Sequence, residues 1–360
     1  MKIYKAAIIG LGASGLAVNK IIYGDSFDEI IAFENKDINK RDNFFGFWLA
    51  DWMKPFEKII EKKWNKWTIG NSNANVTHIC NEKPYCVISF QKWKKYCLKT
   101  KNKLEVINKQ VIQYSSIKNY FKIVTADKKE YYAEKIFDSR SIRQKKGELI
   151  QHFLGININV DDNTFDENKL TLMHFTQEDK LLHFIYILPF SHNKALVEST
   201  VFSKEVFSDS WYKEKIRDYL KINDINKFEE QSLEKGIIPM FFTDEKKSEN
   251  SNVFNIGIRG GACKPSTGYA FSFSIKQIQH LKDSNKNHVN VHNYLEKKMD
   301  KIFINFLKKN NENGNSFIKL ASNLSGNEFQ SFMMGESNLL TKIKIIKSMP
   351  KIAFIKEIFS

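Results

Sequence analysis

The sequence predicts an α+β fold with two interleaved lobes, a Rossmann-like α/β lobe that binds a nucleotide and a lobe built on an antiparallel β-sheet, followed by a helical C-terminal tail. Three observations predict this fold: a glycine fingerprint near the start of the chain, runs of alternating apolar and polar residues in its middle, and a second glycine-rich loop about 250 residues after the first. Because ligand pockets form preferentially where lobes meet, we expect the functional site at their junction.

The first glycine segment is KAAIIGLGASGLAVNKII, in which Gly10, Gly12 and Gly15 have the spacing G-x-G-x-x-G. The apolar run before it predicts a buried strand, and the residues after it have helical character. Glycines at such a turn let backbone N–H groups, here those around Ala13 and Ser14, approach a pyrophosphate at the helix N-terminus. The segment predicts a dinucleotide site, with a purely structural strand–turn–helix as the alternative.

An acid follows the fingerprint at the distance that dinucleotide binding requires. The stretch FDEIIAFENK predicts a second buried strand that ends at Glu34, about 20 residues beyond the last glycine of the fingerprint. A carboxylate at this place bonds the ribose hydroxyls of an adenosine, so Glu34 is a candidate cofactor ligand.

The second glycine-rich segment is NVFNIGIRGGACKPSTGYAFSFSIKQIQHL, and a helix is expected within it from about residue 268 to 282. Gly260, Gly261, Thr267 and Gly268 precede this helix and form a candidate backbone nest for a flavin or its pyrophosphate, with a simple turn as the alternative. Arg259 is a candidate contact for a phosphate or the flavin ring. Two glycine elements at these places are typical of a flavoprotein whose FAD lies across interleaved domains.

Composition limits the classes of function. The net charge is +15, but nearly all of it comes from lysines spread along the chain, whereas base and phosphate recognition favours arginine, so nucleic-acid binding is not expected. Attraction to an anionic membrane surface is more plausible. No run approaches about 18 uninterrupted apolar residues and no signal peptide is recognised, which indicates a cytoplasmic protein without a spanning helix.

Disulfide and metal chemistry are also not expected. The four cysteines have no C-x-x-C spacing. His288 and His292 have i, i+4 spacing on a possible helix, but no third ligand lies nearby in the sequence, and a zinc site needs at least three protein ligands.

The order of the patterns suggests a division of the chain. We expect residues 1–50, 85–150 and 250–285 to form the FAD-binding lobe, residues 51–84 and 151–249 the substrate-binding lobe, and residues 286–360 a helical C-terminal region. Within the substrate lobe, LTLMHF, LLHFIYILPF and ALVESTVFS predict long antiparallel strands. A helix over 209–220 and a strand in EEQSLEKGIIPMFF follow them.

Over most of its length the chain resembles the flavin-dependent lycopene cyclases, in particular the bacterial β-cyclases. The resemblance is carried by GLGASG, NFFGFW, IFDSRS, MHFTQEDKLLHFIYILPFSHNKALVEST, LEKGIIPM and RGGACKPSTGY. It implies a fold like that of p-hydroxybenzoate hydroxylase. It also implies cyclisation of the ψ ends of lycopene, or of a related linear carotenoid, to β-ionone rings. The family binds reduced FAD without net redox change, with NAD(P)H as the electron source.

The sequence departs from the family pattern at two places. Family members usually carry an aspartate in a Met-Asp-Phe triplet, where this chain has Met173, His174 and Phe175. The stretch D-x-R-G of the family ends here in Ser141. These departures bear on the substrate or product more than on the fold.

Ring closure of a polyene end needs a proton donor, a carbocation kept away from water, and a base. Burial against apolar groups keeps a carboxylic acid protonated near neutral pH. Glu198, on the apolar strand ALVEST, occupies the position of the family's catalytic glutamate. Periodicity alone would equally allow Glu198 to face solvent, because it alternates with Leu196 and Thr200. Glu234 in LEKGIIPM matches a second family glutamate and is a further catalytic candidate.

Aromatic faces stabilise cations where water is excluded. Phe47, Trp48, Phe184 and Tyr186 are therefore candidate substrate-binding residues, with plain core packing as the alternative for each.

Two other functions remain open from the sequence: an NAD(P)H-dependent FAD monooxygenase or polyprenyl reductase on the same scaffold, and a basic membrane-binding protein without activity. An enzyme of a membrane-dissolved substrate must dock on the bilayer. We therefore expect a peripheral location on the inner face of the membrane, with the lysine-rich amphipathic tail beyond Asn338 as the contact.

Overall fold

The computed structural model describes residues 1–161, 163–178, 181–242, 248–284, 286–309 and 314–349. The strands in this part of the chain are β1 (Ile3–Tyr4), β2 (Ala6–Ile9), β3 (Glu29–Phe33), β4 (Phe44–Trp48), β5 (Lys62–Trp64), β6 (Lys66–Gly70), β7 (Asn75–Ile79), β8 (Tyr85–Ser89), β9 (Lys103–Ile107), β10 (Val111–Ile117), β11 (Tyr120–Thr125), β12 (Glu130–Ala133), β13 (Ile136–Asp138), β14 (Ile150–Asn159), β15 (Lys169–Phe175), β16 (Leu182–Ser191), β17 (Lys194–Ser203), β18 (Glu229–Pro239) and β19 (Val253–Asn255).

The helices follow in the same chain order. They are α1 (Ala13–Ala17), which continues as a π-helix over Val18–Ile22, a 3₁₀ helix over Asp51–Ile59, α2 (Phe90–Cys97), α3 (Asp209–Ile222), α4 (Phe271–Asp283), α5 (Tyr294–Lys309), α6 (Asn315–Ser322), α7 (Gly326–Met333) and α8 (Leu339–Ser348).

The nucleotide lobe is built on a parallel sheet with the strand order β19-β13-β2-β3-β9. Its central strands are apolar and wholly buried, as a sheet covered on both faces requires. Helices α1 and α4 share one apolar core with it, and the small sheet β1-β12-β11-β10 packs against its other face. The α/β lobe predicted from the fingerprint is confirmed.

The second lobe is a seven-stranded sheet with the order β18-β14-β17-β16-β15-β6-β7, antiparallel except where β15 runs parallel to β6. Because side chains alternate along a strand, the sheet has two distinct faces. One face packs on α3 around Ile156, Val197 and Ile216. The other face, with Leu196 and Phe184, turns toward the parallel sheet and the C-terminal helices. The predicted combination of an α/β lobe with a largely antiparallel sheet is present.

Helices α5 to α8 cover the inner face of this sheet, where Phe306, Leu320, Phe329 and Ile345 join one apolar core. The C-terminal region is thus helical, as expected, within the described residues. None of the helices in the described ranges combines the length and the apolar character that crossing a bilayer requires.

One helix expected from the sequence is absent. His288 and His292 lie in irregular backbone ahead of α5, and the buried His292 donates from Nε2 to the carbonyl of Ala262 at 3.1 Å. Their i, i+4 spacing is therefore not a helix face. In the described part of the chain, no three His, Cys, Asp or Glu side chains are placed to hold a metal ion.

Candidate functional site

A cavity of about 1020 Å³ joins the two lobes. Its walls come from the fingerprint turn, from the inner face of the seven-stranded sheet, from the second glycine loop and from helices α5 to α8. A ligand in the fingerprint turn and a ligand on the sheet would therefore share one space.

Each glycine of the fingerprint has its own physical reason. Gly10 has a φ of +95°, which side chains other than glycine rarely adopt. A Cβ on Gly15 would lie 1.9 Å from the carbonyl oxygen of Gly10, so only glycine lets α1 approach β2 this closely. A Cβ on Gly12 would meet nothing nearer than Arg41 Nη1 at 3.9 Å. Gly12, Ala13 and Ser14 line the cavity, so the turn offers open space to a ligand there.

Glu34 ends β3 and is buried at the base of this turn. Its carboxylate accepts hydrogen bonds from the backbone N–H groups of Leu11 and Lys36, both at 3.0 Å, and pairs with Arg41 at 2.9 Å. Among the described residues that line the cavity, Arg41 is present and Glu34 is not. Glu34 thus shapes the turn and orients Arg41. Sequence reasoning missed Arg41, although it is one of only five arginines in the chain.

The second glycine loop divides into two parts. Gly260 and Gly261 are structural: a Cβ on Gly260 would lie 2.2 Å from the carbonyl oxygen of Asn255, and Gly261 has a φ of +78°. Arg259 donates to Asn255 Oδ1 at 3.2 Å and lies 3.4 Å from the buried Asp138. These three residues are not among the described residues that line the cavity.

Thr267 and Gly268, at the end of the same loop, line the cavity. A Cβ on Gly268 would lie 2.2 Å from Gln151 Oε1, and Gly268 has a φ of +73°. Both Gln151 Oε1 and Thr267 Oγ1 are buried without a hydrogen-bond partner in the described structure. Unpaired buried polar atoms are costly, so their position on the cavity wall indicates a polar ligand there.

The two candidate acids lie side by side on the inner face of the sheet. Glu198 on β17 pairs in register with Gly155 on β14, and Gly155 pairs on its other side with Glu234 on β18. Tyr186 on β16 continues the same row beside Glu198. Glu198, Glu234 and Tyr186 all line the cavity, so the solvent-facing alternative for Glu198 is not what the structure shows.

Burial sets the protonation of both acids. It raises the pKa of Glu198 to about 7, against a smaller lowering by Thr200, whose hydroxyl donates to the Glu198 carboxylate. Burial also raises the pKa of Glu234 well above its usual value, and the nearby charge of Glu198 raises it further. The backbone N–H of Phe44 donates to Glu234 Oε2 at 2.9 Å and lowers this pKa in part. Both groups can therefore carry a proton near neutral pH.

A pair of tyrosines stands next to the acids. The hydroxyls of Tyr85 and Tyr186 lie 3.0 Å apart, and a Cβ on Gly46 would come within 2.3 Å of the first and 2.9 Å of the second. Burial raises the pKa of both phenols well above 10, so they stay neutral. Tyr85 and Gly46 come from strands far from Tyr186 in the chain, and no local pattern in the sequence pointed to them.

The four candidate aromatic residues separate into two groups. Phe184 and Tyr186 line the cavity. Phe47 and Trp48 are not among the described lining residues. Phe47 packs on Phe271, with ring centroids 5.4 Å apart, and Trp48 packs edge-on to Trp67 at 4.5 Å. These two rings are packed in the core.

The departures from the family pattern also lie in different places. Met173 and Ser141 line the cavity. His174 points to the other face of the sheet, where its ring lies 5.1 Å from that of Tyr219 on α3. Burial lowers the pKa of His174, so it is neutral at pH 7.

Comparison with solved structures shows a shared fold at low sequence identity. A geranylgeranyl bacteriochlorophyll reductase-like protein from Thermoplasma acidophilum aligns with a TM-score of 0.63 at 10% identity, over 99% of this chain and 96% of that one. HpxO from Klebsiella pneumoniae, complexed with FAD, aligns with a TM-score of 0.60 at 10% identity, over 97% and 100%. The p-nitrophenol 4-monooxygenase PnpA from Pseudomonas putida gives a TM-score of 0.59 at 10% identity, over 99% and 96%.

These likenesses confirm the expected fold of the p-hydroxybenzoate-hydroxylase type. No curated protein matches the chain in sequence. The model of one protein family, described as lycopene cyclase protein, matches residues 6–358.

Proposed function

Because this chain belongs to the lycopene cyclase family, we propose that it is a lycopene β-cyclase, which closes the ψ ends of lycopene or a related linear carotenoid into β-ionone rings. One observation carries the proposal. Two buried glutamates with raised pKa values stand side by side on the wall of a cavity that is continuous with a dinucleotide fingerprint. A buried, protonated acid in an apolar space is what protonation of an alkene requires.

FAD is the cofactor that the residues fit. The backbone of Gly12, Ala13 and Ser14 would hold its pyrophosphate beside Arg41, since no side chain fills the space at Gly12. The unpartnered Gln151 Oε1 and Thr267 Oγ1 would bond its polar groups. When bound, reduced FAD would supply an electron-rich ring that stabilises positive charge, and NAD(P)H would supply the electrons that keep it reduced.

The chain's own residues supply the proton chemistry. The carboxylic O–H of Glu198 gives its proton to a carbon–carbon double bond at the end of the substrate, and the resulting cation closes the ring. A carboxylate then removes a proton from the ring. One proton enters and one leaves, so the reaction is an isomerisation with no net redox change. Glu234 is the second carboxyl group within the row.

The rest of the cavity protects the cation. The faces of Phe184 and Tyr186 lie on the sheet side, and Phe303, Phe317 and Phe332 from the C-terminal helices lie on the cavity wall as well. Aromatic faces attract a cation more strongly when water is excluded. The polar groups at the fingerprint end and the apolar lining elsewhere match a polar cofactor and a hydrocarbon substrate.

We further propose that α8 docks on an anionic membrane surface, which would place the enzyme as a peripheral protein on the cytoplasmic face. Leu339 and Leu340 are 67% and 71% exposed, while Ile345 points inward and lines the cavity. Lys344 and Lys347 are exposed on the same helix, and each basic group near an anionic bilayer contributes about 1 kcal/mol to binding. The rest of the lysine-rich tail, residues 350–360, lies outside the described residues.

Expression in lycopene-accumulating cells, followed by pigment analysis, tests the proposed reaction. Cyclic carotenoids should accumulate in cells that make the protein and not in cells that carry the empty vector. The purified protein, given lycopene in liposomes, FAD and NAD(P)H, should form rings while consuming far less than one NAD(P)H per product. Stoichiometric NAD(P)H consumption with a hydroxylated or saturated product would instead establish a monooxygenase or polyprenyl reductase.

A further inference from the structure

Gly155 occupies the position between the two glutamates. A Cβ on Gly155 would lie 3.2 Å from Glu234 Cγ, 3.5 Å from Glu198 Cβ and 2.9 Å from Leu196 Cδ1. Neighbouring strands are about 4.8 Å apart, so the Cα atoms of the two glutamates are separated by about 10 Å across β14. Any side chain on Gly155 would stand in that gap. Its absence lets the side chains of Glu198 and Glu234 lean toward each other over the middle strand.

The surroundings of the pair leave its negative charge without compensation. Glu198 receives one hydrogen bond from Thr200, and Glu234 receives one from the backbone of Phe44. The other charged group that shifts the pKa of Glu234 is Asp42, which is also an acid.

The remaining neighbours of the pair add no positive charge. Tyr186 and Tyr85 stand on the other side of Glu198 as neutral phenols. Lys235, next to Glu234 in sequence, is exposed and pairs with Asp209 at 3.0 Å. Two carboxylates in such a place cannot both ionise readily, so the pair retains a proton.

We propose that Glu198 and Glu234 act as one acid pair that holds a single proton, with Gly155 as the positioning residue that keeps the two carboxyl groups together. This inference rests on the proposed cyclase function. The O–H bond of one glutamate breaks as a C–H bond forms on the substrate, which leaves two carboxylates facing a carbocation. The attraction between them stabilises the cation. A ring C–H bond then breaks, the proton returns to either carboxylate, and the pair regains its starting state.

The experiment compares the pH dependence of cyclisation in the full-length protein with FAD, for the wild type and for Glu198→Gln, Glu234→Gln and the double variant. A neutral amide removes one negative charge from the pair, so the pKa of the remaining carboxyl falls. Activity is lost as the pH rises through the pKa of the proton donor. The pair therefore predicts that Glu234→Gln keeps reduced activity and loses it at a lower pH than the wild type does.

Non-additivity is the second criterion. If the two acids work as a unit, the double variant should be no less active than the more severely impaired single variant, within about threefold. Two independent groups would give an unmoved pH profile in Glu234→Gln and multiplied losses in the double variant, and either result would overturn the pair. A wild-type protein that makes no cyclic product at any pH would instead contradict the proposed function.

Gly155→Ala tests the spacer. This variant should bind FAD with unchanged affinity but lose at least tenfold in cyclisation, because the methyl group separates the carboxyl groups. Infrared titration of the protonated carboxyl band gives a readout that does not depend on turnover. The band should titrate at a lower pH in Gly155→Ala than in the wild type. An unchanged titration in a folded variant with bound FAD would refute the role of Gly155.

Discussion

The Nζ atom of Lys264 lies 2.6 Å from Oδ1 of Asp300, and neither side chain is more than 2% exposed. Ser266 also donates to Asp300 Oδ1 at 2.6 Å. Lys264 belongs to the second glycine loop and Asp300 to α5, so this ion pair fastens the loop that carries Thr267 and Gly268 to the helices that cover the cavity. Asp300 and Ser266 themselves line the cavity.

Breaking this ion pair should be costly. Asp300→Ala leaves a buried ammonium group without its carboxylate, and such losses destabilise proteins by about 3–5 kcal/mol. Urea unfolding followed by circular dichroism measures the change. The double variant Lys264→Met with Asp300→Leu removes both charges and should recover most of the stability. If Asp300→Ala and the double variant are equally unstable, packing rather than charge is responsible.

Gly12→Val should abolish FAD binding without unfolding the protein. The nearest atom to a Cβ at Gly12 is 3.9 Å away, so the side chain fits the fold but fills the space that a pyrophosphate would occupy. Flavin absorbance of the purified protein and its FAD-dependent thermal shift give the result.

Gly15→Ala is the matched control for this prediction. Its Cβ would lie 1.9 Å from a backbone oxygen, so we expect loss of folding itself. A Gly12→Val protein that still binds FAD like the wild type would remove the fingerprint from the cofactor site. A wild type without any FAD-dependent shift would contradict the flavoprotein assignment.

Glu198→Gln should lower cyclisation by about 10²–10⁴-fold while FAD binding and folding survive, because general acid catalysis contributes about this much. Glu198→Asp should retain a trace of activity if reach as well as charge matters. Initial rates with lycopene in liposomes measure the effect. Near wild-type turnover in Glu198→Gln would return this residue to a structural role and make Glu234 the next candidate for the proton donor.

The same substitution should stabilise the folded protein at high pH. The pKa of Glu198 is raised in the folded state to about 7, from a usual value of 4.5. The folded state therefore loses stability as the pH rises from about 4.5 to 7. Glu198→Gln cannot ionise, so its advantage in unfolding free energy should grow over this window toward about 3 kcal/mol. Urea unfolding at pH 4.5 and pH 8 tests this, and a pH-independent difference would contradict the raised pKa.

Membrane binding should depend on α8. Leu340→Glu places a charge on the exposed apolar face and should reduce co-sedimentation with anionic liposomes severalfold. Binding of the wild type should fall with added salt and with neutral lipid. Ile222→Glu is the matched control, since Ile222 is 81% exposed at the end of α3, on the opposite face of the sheet. Equal losses in both variants, or equal wild-type binding to neutral and anionic vesicles, would remove α8 from the mechanism.

The sequence predicted the α/β lobe and the strands of the second lobe well, since these follow from local patterns. The fingerprint works within one strand, one turn and one helix, and the roles of Gly10 and Gly15 depend on atoms only a few residues away. Prediction failed where the contacts are long-range. Phe47 and Trp48 have the composition of a cation-binding wall, yet the pairing of β4 with β8 turns them into the core.

The sequence by itself determined that Glu198 lies on an apolar strand and that a nucleotide turn opens the chain. Only the tertiary structure decided which face of β17 is covered by α3 and which faces the cavity, because alternation defines two faces without saying what packs on either. It also placed Gly155 between Glu198 and Glu234, which are 36 residues apart in the chain. Strand register, set by packing across the whole sheet, brings these groups together.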